Sequence, residues 1–269
     1  MPPSQVAATA SWAPNFSREI ARPLHRAVAM STSLRALRNW LALLLAALLS
    51  LQLYFVGRIA LMVWVDPQST SFERAEIWRL SQGSERLRWR QQWVPYEKIS
   101  DHLKRAVIAS EDGDFVNHGG VEWEAIEKAW HKNAKAQAQA QQQAKPVKLV
   151  GGSTITQQLA KNLLLSGERN LVRKGQEFVL VLLLEAALDK RRILELYLNH
   201  VEWGEGVFGA EAAARHYYRK SALQLSAYEA ARLSVMLPRP RYFEKLPNSG
   251  YLSSRAQTIA ARMKEAELP

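Results

Sequence analysis

The chain has 269 residues, with 36 Lys and Arg against 25 Asp and Glu, a formal net charge of +11. That length leaves room for one good-sized domain plus an appendage, and 48% apolar with 23% charged residues excludes a disordered chain. The absence of cysteine excludes a disulfide scaffold, an iron–sulfur site and a thiolate zinc site, while the basic balance points to anionic partners: nucleic acid, acidic lipid or a phosphorylated substrate.

Residues 1–29 carry little periodic pattern and read as disordered. Met30 opens a more ordinary basic run, STSLRALRNW, which makes it a candidate start; N-terminal sequencing that found earlier residues in the native protein would dismiss it. From Trp40 to Gly57 no charged residue occurs, and after Arg58 the apolar character resumes as far as Asp66. A signal-peptide core is about 7–15 residues and a spanning helix about 20. The run is too long for the first, no A-x-A-like cleavage site follows it, and Arg58 near one end can snorkel. A transmembrane anchor is therefore expected at residues 40–65, the alternative being a buried core helix. Arg18, Arg22, Arg26, Arg35 and Arg38 against Glu19 make residues 1–39 a cytoplasmic basic tail and turn the larger part outward. In a Gram-negative cell that is the periplasm.

Residues 66–94 show no sustained period and read as a linker. The outward domain, 95–269, is mainly α. Leu103, Ala106, Val107 and Ser110 lie at helical spacing behind a capping Ser100. A second helix covers Val121 to His131 and runs into a Gln/Ala-rich stretch at 135–145, too poor in apolar surface to pack. Gly151-Gly152 breaks the chain before a helix opened by a Thr154/Gln157 capping box, with Ile155, Leu159 and Leu163 as its stripe. FVLVLLLEAAL at 178–188 is apolar on all faces and predicts a helix buried in the core. Ile193, Leu194, Tyr197, Leu198 and Val201 define the next helix, and a Ser226/Glu229 capping box opens another that Pro238 and Pro240 stop.

Three segments can carry chemistry. Glu111-Asp112-Gly113-Asp114-Phe115-Val116-Asn117-His118 sets three carboxylates and a histidine at a helix end. Adjacent like charges and burial raise a carboxyl pKa, and a glutamate moved up from about 4.3 can act as a general base; taken alone, the segment also fits a solvated acidic turn. Gly151-Gly152-Ser153-Thr154 feeds a helix N-terminus that offers N–H groups to an anion, with Gln157 and Lys161 one turn apart on one face. In Arg173-Lys174-Gly175-Gln176-Glu177 the i,i+4 pair fits a surface ion pair, yet the apolar run after it draws Glu177 into a buried helix, where a charge needs a partner or a function.

Gly204-Glu205-Gly206-Val207-Phe208-Gly209 matches the G-x-G-x-x-G dinucleotide fingerprint, but that motif requires a preceding strand and RRILELYLNHV before it is helical. A tight glycine loop shaping a cleft wall is expected instead. The six histidines show no H-E-x-x-H or comparable spacing, so no catalytic metal site is expected.

Together the segments EDGDFVNHGG, GGSTITQQLAKN, RKGQE, RRILELYLNHVEWGEGVFGAEAAA and SAYEAARLSVMLPRP, spread from about Pro95 to Pro240, resemble the peptidoglycan glycosyltransferases, most closely their membrane-anchored monofunctional transglycosylases. The resemblance implies a lysozyme-like, mainly helical fold that polymerises lipid II into β-1,4 glycan strands and releases undecaprenyl diphosphate. By motif, Glu111 matches the general base on the acceptor 4-hydroxyl and Glu177 the second glutamate, assisting at the leaving pyrophosphate. Lys161, Arg173 and Lys174 match basic residues near the donor diphosphate, while Ser153, Thr154, Gln157, Gln158 and Asn162 match the polar cleft helix. Asp112, Phe115 and His118 fall in the first block and are carried as substrate-binding candidates. The family usually has Asp where this chain has Glu122, and the stretch 135–145 falls in its mobile lid region.

The resemblance further implies no required cofactor, a divalent cation being at most a stimulant, and inversion at the donor carbon. The expected partners are lipid II, the growing strand and the membrane, with other cell-wall synthesis and division proteins as candidates and no nucleic acid. With no second catalytic domain recognisable, transpeptidation is expected from another protein. Two rivals are a lysozyme-type hydrolase or lytic enzyme, which needs an acid but no diphosphate clamp, and a non-enzymatic anchored binder of acidic polymer, which explains the charge but not two glutamates in separate blocks.

Overall fold

The computed structural model describes residues 16–83, 88–124, 127, 152–165, 167 and 170–269, with side chains from residue 34 onward. The chain divides into two compact units, Met1–Tyr54 and Phe55–Pro269. The described part of the first belongs wholly to helix α1 (Phe16–Leu61), whose last residues belong to the second. Within α1, Leu34–Leu61 is long and apolar enough to cross a membrane, and only 6% of its most apolar window is buried. Leu43, Leu44, Leu45 and Leu53, spread around the helix, are each more than half exposed. A core helix would hide them, so the buried-helix alternative fails.

The expected disorder of residues 1–29 is corrected from Phe16 onward, where the backbone is helical; residues 1–15 lie outside the described residues. Ala, Arg and Leu are good helix formers, and a segment that continues an existing helix avoids the cost of a new nucleus.

In the second unit the expected linker is also folded. Helix α2 (Ser71–Ser81) opens on a capping box in which Thr70 accepts from the Glu73 N–H and Glu73 returns the bond to the Thr70 N–H. Its apolar pattern is weak because what it buries is polar: Glu73 is fully buried against Gln91 Nε2 and His200 Nδ1, both at 2.9 Å. Strand β1 (Arg90–Gln91) and a single 3-10 turn (Tyr96–Lys98) lead into α3 (Asp101–Glu111). The helix expected from Val121 to His131 is described only at its start, and residues 135–145 lie outside the described residues.

The helices that frame the site follow: α4 (Ile155–Leu164), α5 (Leu171–Ala187) and α6 (Lys190–His200). Then come β2 (Glu202–Gly204), β3 (Val207–Phe208), α7 (Ala210–Tyr218), α8 (Ala227–Met236), α9 (Pro240–Glu244) and α10 (Gly250–Arg262). The core is helical. α3 packs between α8 and α10, and α4 lies against both α5 and α6. Ile155, Leu159 and Leu163 of α4, Leu103, Ala106 and Val107 of α3, and Ile193, Leu194 and Tyr197 of α6 are all buried, as their spacing predicts. Phe55 and Ile59, near the end of α1, and Met62 just after it are part of this core.

One expectation fails here. The run 178–188 is not buried on all faces: Leu180, Val181 and Leu184 are, but Phe178, Val179 and Leu182 are exposed, on a side of α5 that the described residues leave largely uncovered apart from Trp123 against Phe178. The G-x-G-x-x-G segment forms the β2–β3 hairpin, with β1 paired parallel to β3. Gly206 sits at φ +71 with the Arg88 carbonyl oxygen 2.0 Å from where a Cβ would lie, so the glycine lets two backbones touch.

Candidate active site

Glu111 closes α3. Ser100 caps the start of that helix by accepting from the Leu103 N–H, and the helix stops where Asp112 leaves helical geometry at φ −160, ψ 74. The Glu111 side chain is half-buried, and Gln158 Nε2 on α4 donates to its Oε2 at 2.9 Å. Burial pushes the Glu111 pKa above the ordinary glutamate value and the Asp112 charge adds to that, while the hydrogen bonds from Gln158 and Ser110 pull the other way. A carboxylate so placed is a stronger base than a solvated one.

Asp112 is turned inward. Its Oδ1 lies 2.7 Å from His118 Nε2 and its Oδ2 accepts the Ile155 N–H at 2.9 Å. That N–H belongs to the first turn of α4 and has no partner within the helix, so the carboxylate both fills an orphan position and faces the positive end of the dipole. The Gly120 N–H donates to His118 Nδ1 at 3.1 Å, which leaves Nε2 to carry the proton towards Asp112. The same carboxylate holds the His118 pKa above the usual histidine value.

Thr154 Oγ1 donates to the Gly120 carbonyl at 2.6 Å and accepts the Gln157 N–H, while Gln157 Oε1 accepts the Thr154 N–H. The loop after α3 is thus laced to the start of α4, and Gly120 at φ +80 fits only because it has no side chain: a Cβ would lie 2.6 Å from Val181 Cγ1. Thr156 Oγ1 and Lys190 Nζ both reach Glu185 Oε1, at 2.6 and 2.9 Å, and Lys190 Nζ also donates to the His118 carbonyl. These bonds lock α4, α5 and α6 around the loop.

On α5, Glu177 is buried between two cations. Lys174 Nζ lies 2.5 Å from its Oε1 and Arg173 Nη1 3.4 Å from its Oε2. The surface-pair alternative is therefore wrong for Glu177, which is only 4% exposed, while Lys174 reaches solvent. A buried carboxylate beside two basic groups, one with an Nε that has no partner, is poised to give up part of its cation contacts to another anion.

The thirteen candidates of the sequence reading divide accordingly. Glu111 meets Gln158, and Glu177 meets Arg173 and Lys174. Ser153 and Lys161 are exposed and Asn162 partly so, all available from outside. Asp112, His118, Thr154 and Gln157 spend the polar atoms described above on the loop and the helix cap. Phe115 is fully buried, with Lys190 Nζ 4.6 Å from its ring centre, so it floors the loop and offers nothing to a ligand. α4, which carries Gln158 and Lys161, packs on α5, which carries the second group. A hollow of 360 Å³ lined by Trp64, Asp66, Leu188 and Arg192 contains none of these side chains.

Asp112, His118 and Glu122 bring ligand-type atoms within 4.8 Å of one another. A cation there would have to take Nε2 while Nδ1 already accepts from Gly120, leaving the ring without a proton, so the histidine is built for its hydrogen bonds and not for coordination.

Tyr197 escaped the sequence reading, which placed it among core residues. Its O–H donates to Gln158 Oε1 at 3.0 Å although the residue is 1% exposed. The available signal was chemical: a tyrosine in a leucine-rich stripe must bring a partner for its hydroxyl.

The site thus sets a half-buried carboxylate held by an amide, and a second carboxylate gripped by Lys and Arg, on a mainly helical domain. Within it, the family model described as transglycosylase matches residues 80–264, and the chain belongs to that family. It is 52% identical over 245 residues to a biosynthetic peptidoglycan transglycosylase of Burkholderia thailandensis, covering 90% of this chain and 92% of that one. Proteins of the same name from Bordetella pertussis (51% over 238 residues, 86% and 96% covered) and Herminiimonas arsenicoxydans (51% over 237, 88% and 99%) are similarly close.

Proposed function

We infer that this chain is a peptidoglycan glycosyltransferase that polymerises lipid II. Family membership gives the reaction class, and the observation that carries the mechanism is the half-buried, amide-held Glu111 with its pKa above the ordinary value. In the proposed step Glu111 takes the proton from the acceptor sugar's 4-hydroxyl, the oxygen attacks the donor C1, and the bond from C1 to the diphosphate breaks with its electrons on the leaving group. One displacement on an α-linked donor yields a β link. Arg173 and Lys174, now paired with Glu177, steady the developing diphosphate charge, and the exposed Lys161 of α4 is assigned to the same task.

The apolar helix at Leu34–Leu61 supports membrane anchoring, which would hold the enzyme where a polyprenyl-linked substrate resides. The arginine bias before the span supports a cytoplasmic N-terminus and a periplasmic domain. No cofactor enters the step. Purified full-length protein incubated with lipid II should yield a polymer that muramidase degrades to disaccharide units; turnover of finished peptidoglycan without lipid II would instead support a lytic enzyme.

A further inference from the structure

We propose that Tyr197 is a positioning residue for the general base, acting through Gln158: its buried hydroxyl fixes the Gln158 amide so that Nε2–H, and not the carbonyl, faces the Glu111 carboxylate. The proposal rests on the reading of Glu111 as the base.

An ionised carboxylate accepts only, so Gln158 must present its amide N–H to Glu111, leaving Oε1 on the opposite side. There, among the described residues, it meets the Tyr197 O–H at 3.0 Å, which has to donate. Tyr197 sits at the middle of α6 with 1% exposure and does not compete for water. Burial, and the charges of Glu111 and Asp112, hold its pKa well above that of a free phenol, so it stays a donor wherever the enzyme works. Without that donor, the amide is free to flip and can set its carbonyl against the carboxylate. Glu111 would then lose the bond that favours its ionised form. The groups facing Glu111 are Ser110 and Asp112 from its own segment, Gln158 from α4 and Tyr197 from α6. The chain of bonds thus joins α6 to α3 through α4, and ties the protonation of the base to the packing of three helices.

The test is a pH–rate profile of lipid II polymerisation by the full-length chain in detergent, for Tyr197→Phe, Gln158→Ala and the double variant, with melting temperatures alongside. Tyr197→Phe should lower kcat about tenfold with KM near normal, and should move the acidic limb to higher pH. Gln158→Ala should move the limb the same way, and Tyr197→Phe should add nothing in its background. A limb that stays in place in either single variant, or a Tyr197→Phe effect undiminished in the Gln158→Ala background, overturns the proposal. Glu111→Gln separates the two layers: if it polymerises lipid II at near the wild-type rate, the reading of Glu111 has failed, whereas a Glu111→Gln slowed about a hundredfold or more beside an unshifted Tyr197→Phe limb rejects the positioning role alone.

Discussion

Glu111 must be ionised to accept a proton, yet its surroundings favour the protonated form. The two demands set opposite signs for activity and stability. The folded-state pKa lies above the unfolded one, so the folded chain binds the proton more tightly. The resulting stabilisation is complete below the unfolded value of about 4.3 and is lost as pH rises through the folded value. At neutral pH the ionised side chain therefore costs stability. Glu111→Gln should melt at the same or a higher temperature at pH 7 while losing about 10²–10⁴ in rate, the usual contribution of a general base. In the wild-type chain kcat/KM should fall on acidification around a pKa above the normal glutamate range. Lys161 tests the opposite case. It is exposed on α4, so Lys161→Ala should raise KM for lipid II and lower the melting temperature by no more than about 2–4 °C, since an exposed charge contributes at most about 1 kcal/mol; a larger drop in melting temperature would mark it as structural.

At the scale of elements, the capping boxes of α4 and α8 were readable because their signal is local: a hydroxyl and a Glu or Gln three residues on, ahead of an apolar run. Thr154 does more than cap, since it also reaches the Gly120 carbonyl. Thr154→Ala should therefore cost about 2 kcal/mol, more than a typical cap, and lower the denaturation midpoint at unchanged slope. Gly120→Ala should cost more than that, as it adds left-handed backbone strain to a Cβ placed 2.8 Å or less from side chains of α5. Helix α2 was missed because it is fastened by Glu73, Gln91 and His200, which come from three distant parts of the chain, and polar fastening leaves no hydrophobic period to read. The misreading of α5 has the converse cause: a continuous apolar run says nothing about how many of its sides find neighbours, and among the described residues this helix finds them mainly on one.

Across the whole molecule, α1 serves two purposes with one continuous helix. Leu34 to Tyr54 faces outward nearly everywhere, whereas Phe55, Ile59 and Met62, at i, i+4 and i+7, are buried in the domain core. A chain beginning at residue 55 should unfold in one cooperative transition and lose association with lipid vesicles. One beginning at residue 67 should melt several degrees lower, because it removes three core side chains worth about 1.5–3 kcal/mol each. Comparable melting of the two fragments would show that the end of α1 contributes nothing to the fold.

The sequence by itself determined the mainly helical class, the apolar span, and the glutamate blocks that mark the family, because periodicity, length and local motifs are properties of neighbouring residues. Glu111 and Glu177 could be named that way. The Arg173 partner of Glu177, four residues back, was legible too, but what holds Glu111 was not: Gln158 under Glu111, Tyr197 behind Gln158, and Asp112 turned inward to the α4 terminus are meetings between residues tens of positions apart. Only the packed fold decides those, since a hydrogen bond depends on distance and direction in space and carries no trace of separation along the chain.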